Sequence, residues 1–129
     1  MNLEVHCLTF NPFQENTYII EAPSGDCIII DPGCFDRSER QELKDFIAGR
    51  GLKPVRLLNT HCHIDHILGN AFVSGEYGLG LEIHRGELPV LESGLMVSSM
   101  YGVPYEPSPQ PSAFLNEGDQ LTLNGITLD

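Results

Sequence analysis

Apolar and polar positions alternate loosely along residues 3–10, "LEVHCLTF", the period of two expected of a half-buried strand. After the turn-rich "NPFQEN", residues 17–22, "TYIIEA", predict a second strand. Residues 23–26, "PSGD", predict a turn, and 27–31, "CIIID", a fully apolar third strand closed by Pro32-Gly33. Strands joined by short turns pair antiparallel, so the chain is expected to open with a meander. The period then changes. Leu43, Phe46 and Ile47 share one helical face; Ser38 with Gln41 predicts a capping box at its start, and Gly49 or Gly51 its end. Residues 55–60, "VRLLNT", predict another strand. Strand, amphipathic helix and strand in that order imply a crossover between neighbouring strands.

Ile67, Leu68, Ala71 and Phe72 again have helical spacing, which predicts a helix beginning around Asp65–His66. Residues 80–84 predict a short strand and 87–93 a short helix. Residues 103–112 hold four prolines and predict a loop. Residues 120–129, "QLTLNGITLD", predict a hairpin around Asn124-Gly125. The mixture of local meander and crossover implies an α+β chain. Its 129 residues suit one domain, 1–129.

Composition narrows the function more than the fold. Hydrophobic residues make up 41% of the chain, enough for a core. No apolar run approaches the roughly 18–20 residues that span a bilayer. The N-terminus lacks the basic and apolar regions of a signal peptide, so a cytoplasmic protein is expected. Seven Lys+Arg against eighteen Asp+Glu give a formal charge of −11. Binding to phosphates needs clustered Lys and Arg, so nucleic acid and anionic membrane surfaces are poor partners. A small-molecule substrate and bound divalent cations suit the charge. The four cysteines, Cys7, Cys27, Cys34 and Cys62, show no C-x-x-C spacing, and free buried thiols are expected.

Three of the five histidines crowd into "THCHIDHILGN", residues 60–70. An H-x-H-x-D-H run cannot share one helix face, but residues two apart in extended backbone point the same way. His61 and His63 are therefore expected to project together from the end of a strand, and Asp65 and His66 to turn with the start of the next helix. Imidazole and carboxylate suit zinc, iron or manganese. Two such ions about 3.5–4 Å apart can share a hydroxide and clamp a substrate oxygen. Taken singly, Asp65 could cap the helix and the histidines could be polar loop residues; four together at this spacing argue for a metal centre. His6 and His84 fit no motif and are expected to be structural. Cys62, between two ligands on extended backbone, should point away from them.

The motif resembles the T-H-x-H-x-D-H signature of the metallo-β-lactamase superfamily, and its "HILGN" tail resembles the glyoxalase II (hydroxyacylglutathione hydrolase) branch. "ENTYII" with "CIIIDPG", "LEIHRGELPVL" and "LNEGDQLTLNGITLD" are similar to further family segments, so the resemblance covers essentially the whole chain. It implies a four-layer αββα sandwich with mixed sheets. His61 and His63 would hold one metal, and Asp65 and His66 a second, so that two Zn²⁺ ions (or Fe or Mn) complete the intact site. By the same resemblance Asp65 also orients the bridging hydroxide that acts as nucleophile, and Asp31 supports the site from behind.

The family's further ligands lie downstream: a histidine in an H-x-x-G-H-type loop, a bridging aspartate and a last histidine. None is present, so the chain is expected to be a C-terminally incomplete domain carrying half a site. The leading expectation is a hydrolase of small thioesters. A lactonase, a β-lactamase, a di-iron redox domain and a metal-free binding domain are the alternatives. The di-iron enzymes usually carry glutamate where this chain has Asp65. An RNA-processing nuclease is disfavoured by the charge, and a secreted β-lactamase by the missing signal peptide. The hairpin at 120–129 is expected to leave an open sheet edge, through which the chain would self-associate.

Overall fold

The computed structural model describes residues 3–116, 121–123 and 126–128, with side chains through residue 116. Strands β1 (Glu4–Phe10), β2 (Glu15–Glu21) and β3 (Asp26–Ile30) pair antiparallel as a meander. Helix α1 (Arg37–Gly49) carries the chain to β4 (Lys53–Leu58), which lies parallel to β3. Two short helices, α2 (Ile64–Ile67) and α3 (Asn70–Tyr77), precede β5 (Leu81–His84), parallel to β4. A 3₁₀ turn, α4 (Leu88–Glu92) and α5 (Gly94–Tyr101) lead to β6 (Pro111–Leu115), parallel to β5. The six strands form one mixed sheet in sequence order, and β7 (Leu121–Leu123) and β8 (Ile126–Leu128) form a separate antiparallel pair. The fold is thus mixed α+β. The predicted hairpin is present as this pair, while its turn residues Asn124 and Gly125 lie outside the described residues.

Alternation in β2 explains how this sheet is covered. Glu15, Thr17 and Ile19 are buried on one side, whereas Asn16 and Tyr18 face solvent. The main core joins Ile19, Ile29 and Leu57 of the sheet to Leu43 and Ile47 of α1, Ile67 of α2 and Val73 of α3. Ile28 and Leu58 face the other way into a second cluster with Ile20, Val55 and Leu115. β7 approaches β3. Because β3 is hydrogen-bonded along both its edges, β7 must lie over a face of the sheet.

Several element boundaries depart from the sequence pattern. The first helix is capped by Asp36, whose side chain accepts from the Glu39 N–H at 2.8 Å, and not by Ser38 with Gln41. The cap goes to the residue with extended backbone, φ −126° and ψ 175°, and Ser38 is already inside the helix. The single helix expected from Asp65–His66 is two helices, because the chain turns at Leu68-Gly69. The Gly69 N–H there donates to the Pro32 carbonyl at 2.8 Å. A Cβ on Gly69 would meet Cys34 Sγ at 2.6 Å, so this close approach requires glycine. Helix α5 was not foreseen, and the proline-rich loop ends earlier than expected, with β6 beginning at Pro111.

Candidate metal centre

The candidate site collects at the C-terminal ends of the parallel strands. Asp31 follows β3, His61–His66 follow β4, and Glu87 follows β5. Such strand ends are where open α/β sheets hold ligands, because backbone there leaves the ladder and side chains converge.

His61 and His63 project together, as extended backbone dictates. Their rings are parallel within 10°, with centroids 5.9 Å apart, and both are exposed. Cys62 between them points inward and is buried, and burial pushes its thiol up to about 12. The Thr60 hydroxyl lies 3.2 Å from His61 Nδ1, which leaves Nε2 outward. His66 lies in α2, its ring centroid 5.7 Å from that of His61. Asp65 Oδ2 lies 3.5 Å from His66 Nε2. That separation is long for a hydrogen bond, yet bonds of about 2.1 Å in tetrahedral geometry set two ligand atoms roughly 3.4 Å apart. The donor set therefore fits a divalent cation between Asp65 and His66.

The other nitrogen of His66 is held from behind. Asp31 Oδ2 is 3.1 Å from Nδ1, and Glu15 Oε1 is 3.4 Å from it. The Asp31 carboxylate beside the ring raises the His66 pKa, and Nε2, on the other side of the ring, faces Asp65. Asp31 also accepts from the Thr60 N–H at 2.7 Å and from the Thr60 hydroxyl. Its backbone is left-handed, φ 55°, so β3 ends abruptly and the carboxylate swings toward the motif.

Glu15 was missed by sequence reasoning. Its side chain is only 1% exposed, and desolvation pushes its pKa up to about 8. The Thr17 hydroxyl donates to Glu15 Oε2 at 3.0 Å and lies 2.9 Å from the Asp31 carbonyl. Among the described residues, two groups have three candidate ligand atoms mutually within 4.8 Å: Glu15–Asp31–His66 and the more exposed Glu4–His6–Glu21. His61, His63 and Asp65 belong to neither, so the four expected ligands do not form one cage in the structure. In the second group Arg50 bonds both Glu4 and Glu21, which already supplies their counterion.

Three more side chains grip the motif backbone. Glu87 Oε1 accepts from the Cys62 N–H at 2.9 Å. Asn11 donates through Nδ2 to the carbonyls of Gly33 and Asp65, at 3.1 and 2.9 Å. Asn59 donates to the His66 carbonyl at 3.2 Å and exchanges hydrogen bonds with Asn70. Glu15, Asn11 and the motif loop converge on Gly33, where a Cβ would lie 2.3 Å from Glu15 Oε2 and 2.8 Å from the Asp65 carbonyl. Only glycine fits between them, which gives "DPG" a structural reason. His6 and His84 are satisfied elsewhere: His6 Nε2 meets Glu21 at 2.9 Å, and His84 Nδ1 accepts from the Gly86 N–H. All four cysteines are free.

A cleft of about 330 Å³ opens beside the motif, between Asp65 and His66 on one side and Phe13, Val97 and Tyr101 on the other. Among the described residues, no helix is long and apolar enough to cross a membrane.

A family model described as the metallo-beta-lactamase superfamily matches residues 10–128. The probable metallo-hydrolase YqgX of Bacillus subtilis (strain 168) is 30% identical over 108 residues, covering 84% of this chain and 49% of the relative. A Ribonuclease Z of Bradyrhizobium diazoefficiens is 32% identical over 117 residues, 86% of this chain and 37% of that protein. A hydroxyacylglutathione hydrolase of Serratia proteamaculans (strain 568) is 30% identical over 81 residues, 62% of this chain and 30% of that one. The crystal structure of TTHA1623 in a di-iron-bound form superposes with a TM-score of 0.79 at 32% identity, covering 91% of this chain and 57% of that one. The chain thus spans about half the length of YqgX.

Proposed function

The chain belongs to the metallo-β-lactamase superfamily, and from that premise we propose that the intact protein is a metal-dependent hydrolase of small thioesters. The observation that carries the metal is the spacing of Asp65 Oδ2 and His66 Nε2, 3.5 Å apart at the solvent end of a ring whose inner nitrogen Asp31 already holds. His61 and His63 would hold one cation, and Asp65 and His66 a second, zinc or iron. Bound there, such cations lower the pKa of a water molecule to near 7 and polarise a substrate carbonyl.

The remaining work falls to the protein. Asp31, 3.1 Å behind His66 Nδ1, would orient that ring. Thr60, Asn11, Asn59 and Glu87 fix the loop so that the ligands need not be ordered at the moment of binding. Asp65, on the cleft wall, is placed to orient a nucleophilic water toward a bound carbonyl. A thioester suits this site because a thiolate leaves without strong acid assistance, and the described residues around the motif offer no lysine or tyrosine acid beside Asp65 other than Tyr101 on the far wall. The similarity to a hydroxyacylglutathione hydrolase supports the same substrate class.

The test is direct. The intact protein should hydrolyse S-acyl thioesters, lose that activity to a chelator, and regain it with added Zn²⁺. Hydrolysis of lactones or of precursor RNA with thioesters untouched would overturn the substrate class. Metal analysis of the same preparation decides a second reading, a di-iron redox domain, which the likeness to a structure in a di-iron-bound form favours.

A further inference from the structure

The cleft beside the motif has a chemical character that the metal ligands do not explain. One wall holds His63, Asp65 and His66; the other is built from Phe13 in the β1–β2 turn and from Val97 and Tyr101 of α5. Phe13 and Tyr101 meet edge to face, centroids 5.3 Å apart at 86°, and brace the outer rim. They remain 41% and 61% exposed, large apolar surface beside a candidate reaction centre. Among the described residues, no lysine or arginine lines the cleft, and Asp65 is the only acidic group lining it. The Ser93 hydroxyl, which also lines it, is turned away and donates to the Val90 carbonyl at 2.7 Å. The far wall therefore offers an incoming group apolar area and no counterion.

We propose that this cleft receives an uncharged, apolar acyl group of the substrate, and that Phe13, Val97 and Tyr101 select such groups against short or anionic ones. The assignment rests on the hydrolase reading above. A carbonyl held over Asp65 and His66 would have room to turn its acyl substituent toward the opposite wall. At about 330 Å³ the cleft is at the small end of ligand sites, sized for a short chain. An acyl carboxylate placed against the far wall would lose its water and find among the described residues there no lysine or arginine to pair with. Covering Phe13 and Tyr101 with methylene groups removes their apolar surface from water.

Two measurements on the intact protein separate this proposal from the reaction itself. The first needs no metal and no turnover. Hexanamide, acetamide and succinamate are titrated into chelator-treated protein and followed by NMR. Hexanamide is expected to shift the resonances of Phe13, Val97 and Tyr101 and to saturate on the order of tenfold below acetamide, with succinamate failing to bind. The second compares kcat/KM for S-hexanoyl-, S-acetyl- and S-succinyl-N-acetylcysteamine with the metal-loaded protein. A hexanoyl preference on the order of tenfold or more is expected, collapsing in Val97→Trp, which fills the cleft. Tyr101→Ala, at an exposed position that folding tolerates, should shrink it as well.

Equal binding of succinamate and hexanamide would overturn the proposal, as would a preference unchanged in both variants. Absence of any acyl-length effect would do the same, and would indicate that further polypeptide covers the cleft. Hexanamide binding with no thioester cleaved would leave the cleft assignment standing and remove the thioester reading. Cleavage of all thioesters without preference would do the reverse.

Discussion

Asp31 joins two residues of the site through one carboxylate, which accepts from the Thr60 N–H and hydroxyl and lies 3.1 Å from His66 Nδ1. Its left-handed backbone is a conformation that short polar side chains tolerate best after glycine. Asp31→Asn keeps that tolerance and removes the charge. Zinc affinity is expected to fall about 10–100-fold, as it does when the partner of a ligating histidine is lost. Competition with a chromophoric chelator measures it, and an unchanged affinity would separate Asp31 from the metal.

Glu15 makes a different prediction, about the metal-free chain. Folding raises its pKa from the ordinary 4.5 to about 8. Between those values the folded chain holds a proton that the unfolded chain has released, so stability contributed by Glu15 falls as pH rises through that window. In Glu15→Gln this loss disappears. Chelator-treated wild type should lose more of its melting temperature from pH 5 to 8 than the variant does. Parallel curves would mean that the buried carboxyl is already ionised in the fold.

At the scale of elements, α1 tests where a cap is read from. Asp36→Ala removes the acceptor for the Glu39 N–H and should cost about 0.5–2 kcal/mol in a denaturant melt, whereas Ser38→Ala should be near neutral. Asp and Ser are both residue types that cap helices. What decides is the backbone at Phe35-Asp36, which is set at a distance: Glu39 accepts from the N–H groups of Asn11 and Phe35, and so ties the helix start to the β1–β2 turn. The meander and the first crossover were legible because β1–β3 and α1 carry their periods openly. Helix α5, "GLMVSSMY", was not, because its apolar residues fall on several faces: Val97 lines the cleft while Leu95, Met96 and Met100 face solvent. The expected helix after the motif split for a similar reason. Its apolar spacing continues across Gly69, and only the contact with Pro32 and Cys34, more than thirty residues earlier, shows why the chain must turn there.

The same division holds for the site across the whole molecule. His61, His63, Asp65 and His66 were legible because one short loop brings them together. Asn11, Glu15 and Glu87 were not, because each reaches the loop from a part of the chain more than twenty residues away, with no local spacing to mark it. Among the described residues the large sheet ends at β6 on one side and β1 on the other, and β8 pairs only with β7. Such edges present unpaired N–H and C=O groups that template pairing with another chain. Nothing in β6, "PSAFL", blunts its edge with charge; its one proline stands at the first position, where it does not block the rest. α5 adds Met96, Met100 and Tyr101 as exposed apolar surface. The 129-residue chain is therefore expected to self-associate as its concentration rises. Light scattering over a dilution series should show a mass that climbs with concentration. Ala113→Lys, which places a charge on an exposed position of β6, should lower it. A chain that stays monomeric throughout would show that this edge is closed in solution, and a mass unmoved by Ala113→Lys would move the contact away from β6 to the β1 edge or to the exposed apolar residues of α5.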